Sequence, residues 1–463
     1  MKKILFLELY LNGYDEDSVP KSKEPDIELL RCFTLLKKND YDIEFIDFKL
    51  GGTDEFTIKK AAKNAEDVFI NCKTYNRHFC LDIIKLLKEE NADLRIFLYG
   101  QHPTYDLTFF LDADQDLFII QKEITPFFNE YVINDKIITD LPNLAFIKDN
   151  KLVKTEKKEI TDMNSLPFID IDVLGNNYFT LYPMRTLEKH KWGFLTLSKG
   201  CPFNCVFCSQ TLRISYGKTV IFFSIDESIK RIKRLLENGY NFIRFVDDDW
   251  HNKNFIRNLC IAIIKENLEF KWMSQVRADS LDIQTLRLMK KAGCECLNIG
   301  VESGSERILK ILKKNETLED IEKAFVLCKK VNINTVAYFM IGNPTETQND
   351  LDMSFEFLKK LKPTMLQIAY FTPYPGSPFF EKLDEETKQE KSFFHYKDIV
   401  HNFSKVSNET LRKTMKKRNV FFYLNPINFW RLAFFRMSCL FFNPLRELKI
   451  LVRIFNSIIL NKK

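Results

Sequence analysis

No stretch of this 463-residue chain reaches the run of about 18 uninterrupted apolar residues that a membrane-spanning helix needs. Histidine is scarce, with 6 in the whole chain, and too dispersed to suggest a Ser-His-Asp or paired acid–base set. There is no internal repeat and no low-complexity segment. Charge of one sign is not concentrated either. The net charge is +6, but Lys and Arg are scattered among Asp and Glu, which does not make a nucleic-acid groove. The 11 cysteines do not form a disulfide framework. Cys32, Cys72, Cys80, Cys260, Cys294, Cys296, Cys328 and Cys439 fall mostly inside predicted elements, as small apolar residues. Cys294-Glu295-Cys296 lies at a predicted strand and is not read as a shared metal site. The start, Met-Lys-Lys followed by an apolar run, resembles a signal peptide but breaks at Glu8 and Asn12. It reads as a first strand, and a reducing cytoplasm is expected.

What is present is ordinary globular composition, 45% hydrophobic and 29% charged, in a chain long enough for two or three domains. Phenylalanine is abundant, with 43 residues mostly inside apolar runs, and is read as core filling.

One stretch stands out. Cys201, Cys205 and Cys208 lie within eight residues. Thiols this close can only close on one small centre, and soft thiolates select zinc or an iron–sulfur cluster. A closed site wants four ligands, and only three are local. Either one metal position stays open, or a distant residue such as Cys260 completes a zinc knuckle.

The flanking pattern is α/β. Residues 1–135 alternate short apolar strands (Ile4–Leu9, Tyr41–Phe48, Val68–Asn71, Leu94–Leu98, Leu117–Ile120) with helical segments. This predicts a doubly wound parallel sheet. Residues 136–190 read as a linker with a hairpin around Asp149-Asn150. Residues 191–379 hold six strand–helix units, which predicts a partial (βα)6 TIM-type barrel with its site at the carboxyl strand ends. Ser224 and Glu227 are read as a capping box that opens one of its helices. Residues 380–463 read as a helical tail. Its basic and aromatic residues suit either packing on the barrel or peripheral contact with a membrane surface.

The cysteine spacing, with Phe207 before the last cysteine, resembles the C-x-x-x-C-x-x-C signature of the radical S-adenosylmethionine (SAM) superfamily. Further matches fall at successive strand ends: Asp247-Asp248-Asp249, Arg277, Gly300-Val301-Glu302-Ser303-Gly304-Ser305, Ile341-Gly342-Asn343-Pro344-Thr345-Glu346-Thr347 and Tyr374-Pro375-Gly376-Ser377-Pro378. The resemblance implies a 4Fe-4S cluster on the three cysteines, with one iron open to the amine and carboxylate of SAM. Asp247 and Asp248 would lie near the SAM amino group. Arg277 would meet its carboxylate, unless it pairs with Asp279. Glu302, with Ser303, would accept the ribose hydroxyls, and backbone at Ile341 and Gly342 would pack on adenine. Reductive cleavage of SAM would then give a 5′-deoxyadenosyl radical that modifies an unactivated carbon.

The N-terminal region resembles the cobalamin-binding domain that precedes many such barrels. Leu98-Tyr99-Gly100-Gln101-His102-Pro103-Thr104 and Gln121-Lys122-Glu123 carry the likeness. Tyr99 and Lys122 replace family glycines, and the D-x-H-x-x-G motif is absent, so cobalamin is left open. The readings carried forward are a radical SAM enzyme and, as alternative, a cobalamin-dependent methyltransferase. A non-catalytic iron–sulfur or zinc sensor is the reading of another class. The expected partners are a small-molecule, lipid or peptide substrate and a reducing donor such as flavodoxin or ferredoxin.

Overall fold

The computed structural model describes residues 2–10, 23–51, 53–133, 137–174, 178, 190–208, 219–247, 250–389, 399 and 401–424, the last seven without side chains. Asp248, Asp249 and nearly all of the basic, aromatic tail lie outside the described residues.

A seven-stranded sheet comes first, in the order β2-β1-β3-β4-β5-β6-β7. Its strands are β1 (Lys3–Glu8), β2 (Asp42–Asp47), β3 (Asp67–Asn71), β4 (Arg95–Tyr99), β5 (Phe118–Ile120), β6 (Leu144–Lys148) and β7 (Lys151–Lys154). The first five are parallel, as the strand–helix alternation implies. A phenylalanine ladder fixes their register. Phe6, Phe69, Phe97 and Phe118 are cross-strand partners on β1, β3, β4 and β5, with successive rings stacked 5.0, 4.7 and 5.0 Å apart. The hairpin around Asp149-Asn150 is present as β6–β7. It also extends the sheet, because β6 pairs antiparallel with β5.

The second sheet has six parallel strands in the order β15-β14-β13-β12-β11-β8 and forms the partial barrel. They are β8 (Trp192–Leu195), β11 (Phe242–Phe245), β12 (Lys271–Val276), β13 (Cys294–Glu302), β14 (Asn334–Ile341) and β15 (Met365–Tyr370). A two-residue ribbon of β9 (Ser198–Lys199) and β10 (Ile221–Phe222) flanks the cysteine loop. The helices between barrel strands begin at sequence-encoded caps. Ser224 accepts from the Glu227 amide at 3.2 Å to open helix Ile225–Glu237. The expected capping box is only half made, since the Glu227 side chain turns to Lys230 and Arg231. Thr317–Asp320 and Thr347–Asp350 do form reciprocal boxes. Helix Asn408–Leu424 lies beside β15, with Leu411 fully buried. Among the described residues no helix is long and apolar enough to cross a membrane.

The two sheets face each other through the carboxyl ends of their strands. Tyr75 follows β3, Tyr105 follows β4 and Tyr374 follows β15; all three pack around buried Phe380. The Tyr105 and Phe380 rings meet edge-on at 5.5 Å. Arg31 of helix Ile27–Lys38 donates to Thr196 Oγ1 at 2.7 Å, just past β8. Lys199 of β9 bridges Glu123 at 2.6 Å and Glu28 at 2.8 Å. Ligands of parallel sheets collect at carboxyl ends, so this junction is where a shared site belongs.

Candidate active site

The cysteine loop, residues 201–208, leaves β9 and crosses the carboxyl face of the barrel. Its middle is anchored by backbone. Val206 donates to the Leu312 carbonyl at 3.0 Å, and Phe379 donates to the Val206 carbonyl at 3.1 Å. Val206 and Phe207 pack with Ile308, Leu312 and Phe371, so the family aromatic serves as an apolar peg for the loop. Cys205 is buried, Cys201 partly buried and Cys208 exposed. Burial pushes the Cys205 thiol up, while Lys314 and Arg277 pull it down; Cys208 and Glu302 act on it as like charges. The loop therefore brings Cys205 beside Cys208, Glu302, Lys314 and Arg277.

Cys260 does not join them. It sits fully buried on helix Lys253–Lys265, and burial alone raises its thiol, to about 12. Its electrostatic neighbour is Cys294, which feels Cys296 more strongly and also Cys328. A zinc knuckle completed by Cys260 is thus not what the fold assembles. Among the described residues no three histidine, cysteine or carboxylate side chains have closed on one point. The donor set fits an iron–sulfur cluster with one iron left to an exogenous ligand: three thiols on one anchored loop, with two cations beside the innermost.

Glu302 ends β13 in the left-handed region, at φ +64°, after a register shift that bulges Val301. Its carboxylate accepts from Lys314 Nζ at 3.3 Å, and Lys314 also bridges Glu316 at 3.2 Å. Burial raises Glu302 above the usual carboxylate range, and Lys314 works against that rise. Gly300 lets the Glu302 and Lys314 side-chain ends come close to the strand. A Cβ there would stand 2.4 Å from Glu302 Oε1 and 2.8 Å from Lys314 Nζ. Ser303 is placed differently from the expectation of a ribose contact. It is fully buried, its hydroxyl pairs with Ser354 Oγ at 3.0 Å, and it accepts from the Ser305 amide. It ties the strand end to helix Gln348–Leu361.

Arg277 takes the local reading. Its guanidinium makes two bonds to Asp279, at 3.1 and 2.9 Å, and donates to the Lys314 carbonyl at 3.0 Å. It also lies 3.7 Å over the Phe203 ring, inside the cysteine loop. Arg277 thus clamps the loop to the strand that carries it.

Asp247 points back into the barrel wall. One carboxylate oxygen accepts from the Leu197 amide at 2.8 Å, the Ser198 amide at 2.5 Å and the Ser198 hydroxyl at 2.7 Å. Burial raises it to about 6 against these bonds. Its role in the structure is to hold the turn that launches the cysteine loop.

At the end of β14, Ile341 is buried and its carbonyl accepts from Phe371. Gly342, at φ +77°, donates to Glu346 Oε2 at 2.7 Å; Asn343 adds amide and side-chain bonds to the same carboxyl. Glu346 is wholly buried and raised to about 7 by burial. It organises this loop, a role that its place in a contiguous motif does not reveal.

Lys314, Glu316 and Phe203 join the site without a sequence motif to announce them. Their signal is weak: one lysine and one acid two residues apart after a short helix, and one phenylalanine among 43.

Comparison with known proteins gives the same class. Residues 195–358 match the family model of the radical SAM superfamily. The chain is 27% identical over 415 residues to an uncharacterised methyltransferase of Pyrococcus horikoshii, covering 84% of this chain and 86% of that one. It is 24% identical over 379 residues to the anaerobic magnesium-protoporphyrin IX monomethyl ester cyclase of Rubrivivax gelatinosus, covering 76% of this chain and 65% of that one. Among solved structures, the cobalamin-dependent SAM radical enzyme OxsB, with aqua-cobalamin and SAM bound, superposes with a TM-score of 0.72 at 15% identity. The match covers 99% of this chain and 75% of OxsB. The methyltransferase TsrM of Kitasatospora setae, with cobalamin and a [4Fe-4S] cluster bound, gives 0.62 at 14% identity, covering 82% of this chain and 74% of TsrM. At these identities the structural likeness speaks to the fold.

The barrel, over residues 195–358, is a radical SAM domain. The first sheet and the barrel together have the fold of OxsB and TsrM.

Proposed function

We propose that this enzyme is cobalamin-dependent and transfers a methyl group from SAM to a carbon or phosphorus of a small substrate. The observation that carries the reading is the meeting of the two carboxyl faces, with Tyr75 and Tyr105 against Tyr374 and Phe380, and Glu28 and Glu123 against Lys199. A ligand held by the first sheet would face whatever the barrel holds.

The chain's own groups support it. Unpartnered polar atoms gather at the carboxyl ends of β3 and β4 among the described residues: Asn71 Oδ1, the Thr74 hydroxyl and the Tyr99 hydroxyl, all buried. Buried polar atoms without partners are costly, and the amide-rich rim of a corrinoid would supply them. We read His102 as a structural residue: its ring packs edge-on against Phe109 and Phe110 and is kept neutral, at about 3, by burial and by Arg77. When bound, the corrinoid supplies a methyl carrier.

In the barrel we assign Cys201, Cys205 and Cys208 to the cluster, Glu302 to the ribose hydroxyls, and backbone at Ile341 and Gly342 to adenine. Asp247, Arg277, Ser303 and Phe207 position these groups. We place the reaction in a reducing cytoplasm, with a flavodoxin or ferredoxin as donor.

The test is anaerobic purification with added hydroxocobalamin, then desalting and an absorbance spectrum. The proposal expects corrinoid retained in proportion to protein and S-adenosylhomocysteine among the products. Release of 5′-deoxyadenosine with no retained corrinoid would leave a radical SAM enzyme of another kind. The relatives named as cyclases favour a second reading, ring-forming radical chemistry, which that product analysis separates.

A further inference from the structure

Arg244 lies on β11, and its side chain enters the barrel interior. It is 6% exposed. Its charge acts on the Tyr338 hydroxyl of β14, which also feels Glu302. In sheet order β12 and β13 separate β11 from β14, so only the concave face can bring these side chains together. Around them, Asn298 donates to Tyr338 Oη at 3.1 Å, and Gln275 donates to the Asp247 carbonyl at 2.8 Å.

Arg244 Nε and Nη1 have no hydrogen-bond acceptor among the described residues. Among the described residues the nearest carboxylate is Glu24, 3.7 Å from Nε, on the segment that leads into helix Ile27–Lys38 of the other domain. Glu24 is itself 38% exposed, so it stands at the edge of the interior rather than within it. A buried guanidinium with two nitrogens left without an acceptor is unfavourable unless one arrives. The acceptor that suits its planar fork is an oxyanion, taken by two parallel bonds.

We propose that Arg244 anchors an oxyanion subsite for the substrate, so that the substrate carries a carboxylate or phosphate that docks in the barrel interior and displaces Glu24. The inference rests on reading the barrel interior as the active site. It assigns Arg244 as a specificity-determining residue and places the anion within electrostatic reach of the group that faces Glu302. An uncharged lipid or porphyrinoid ester lacking such a group would leave the cation unanswered.

The experiment uses the full chain, anaerobically reconstituted and labelled with 15N-arginine. The probes are inorganic phosphate and acetate, titrated separately at constant ionic strength set with chloride. The Arg244 Nε–H signal, assigned by its loss in Arg244→Lys, is expected to move saturably; the more effective probe tells phosphate from carboxylate. Glu24→Gln, which removes the competing carboxylate and leaves Arg244 in place, is expected to tighten binding several-fold. An Arg244 signal moved no more by either probe than by chloride, or a Glu24→Gln protein with unchanged affinity, overturns the subsite. Reductive SAM cleavage measured on the same samples keeps the two readings apart. Cleavage with an unmoved signal refutes the subsite alone. A moved signal without cleavage supports an oxyanion site at Arg244 and refutes the reading of the barrel interior as the active site.

Discussion

Lys199 Nζ donates to Glu123 Oε2 across 2.6 Å, and through that contact the first sheet grips the strand that runs into the cysteine loop. Glu28 shares the same ammonium at 2.8 Å. Burial opposes the charge on Glu28, yet Lys199 and then Arg31 hold it at about 2. Lys199 stands two residues before Cys201, so any tilt of one domain against the other is felt by the cluster ligands.

Replacing Lys199 by Met leaves two acids facing each other in a buried junction. Breaking one side of such a pair costs about 3–5 kcal/mol. The urea midpoint of Lys199→Met is expected to fall accordingly, and adding Glu123→Met should recover part of the loss. A midpoint unchanged in the single variant would show that the junction is not under electrostatic control.

Glu346 predicts a pH dependence. In the folded chain its carboxyl keeps a proton up to about pH 7, against an ordinary value of 4.5. The native state therefore binds the extra proton between those values. The associated stability is fully present below pH 4.5 and is lost as pH rises through 7. Relative to Glu346→Gln, the wild type should lose roughly 3 kcal/mol across that window. Parallel denaturation curves at several pH values check it; a constant difference between the two proteins refutes it.

Gly304 is a packing position. A Cβ there would meet the Ser354 Cα at 2.6 Å and the Met353 carbonyl at 2.9 Å, both helix backbone that cannot swing aside. Gly304→Ala must push helix Gln348–Leu361 away from β13, at about 1–3 kcal/mol. Thermal unfolding measures this, and a variant as stable as the wild type would mean that the helix tolerates the shift.

Lys314 holds Glu302 and Glu316 apart in charge. In Lys314→Met the two acids repel each other, and Glu302 is driven further towards its neutral form. SAM affinity by equilibrium dialysis is expected to fall about tenfold, close to 1.4 kcal/mol, with Lys314→Arg losing less.

Much of the architecture is legible in the amino-acid order, for identifiable reasons. Short apolar runs alternating with helical spacing mark the parallel strands, because buried parallel strands carry no other pattern. The cysteine triplet and the strand-end motifs are legible because each is contiguous. What is not legible depends on contacts distant in the chain. Lys199 and Glu123 are 76 positions apart, and Arg31 and Thr196 are 165 apart. Nothing local marks either pair. The attachment of the β6–β7 hairpin to the first sheet is of the same kind, since it depends on the free edge of β5. Asp247 shows the opposite limit. Its acidic neighbours suggest a cation, but its orientation is set by the amides of Leu197 and Ser198, just past the neighbouring strand and about 50 positions earlier in the chain.

The most direct test is anaerobic reconstitution with iron and sulfide, followed by dithionite and SAM, for the wild type and for Cys201→Ala, Cys205→Ala and Cys208→Ala. The account predicts about four iron atoms per wild-type chain, an electron paramagnetic resonance signal that changes when SAM is added, and SAM consumption that each variant abolishes. One zinc per chain, no iron uptake and intact SAM would contradict it.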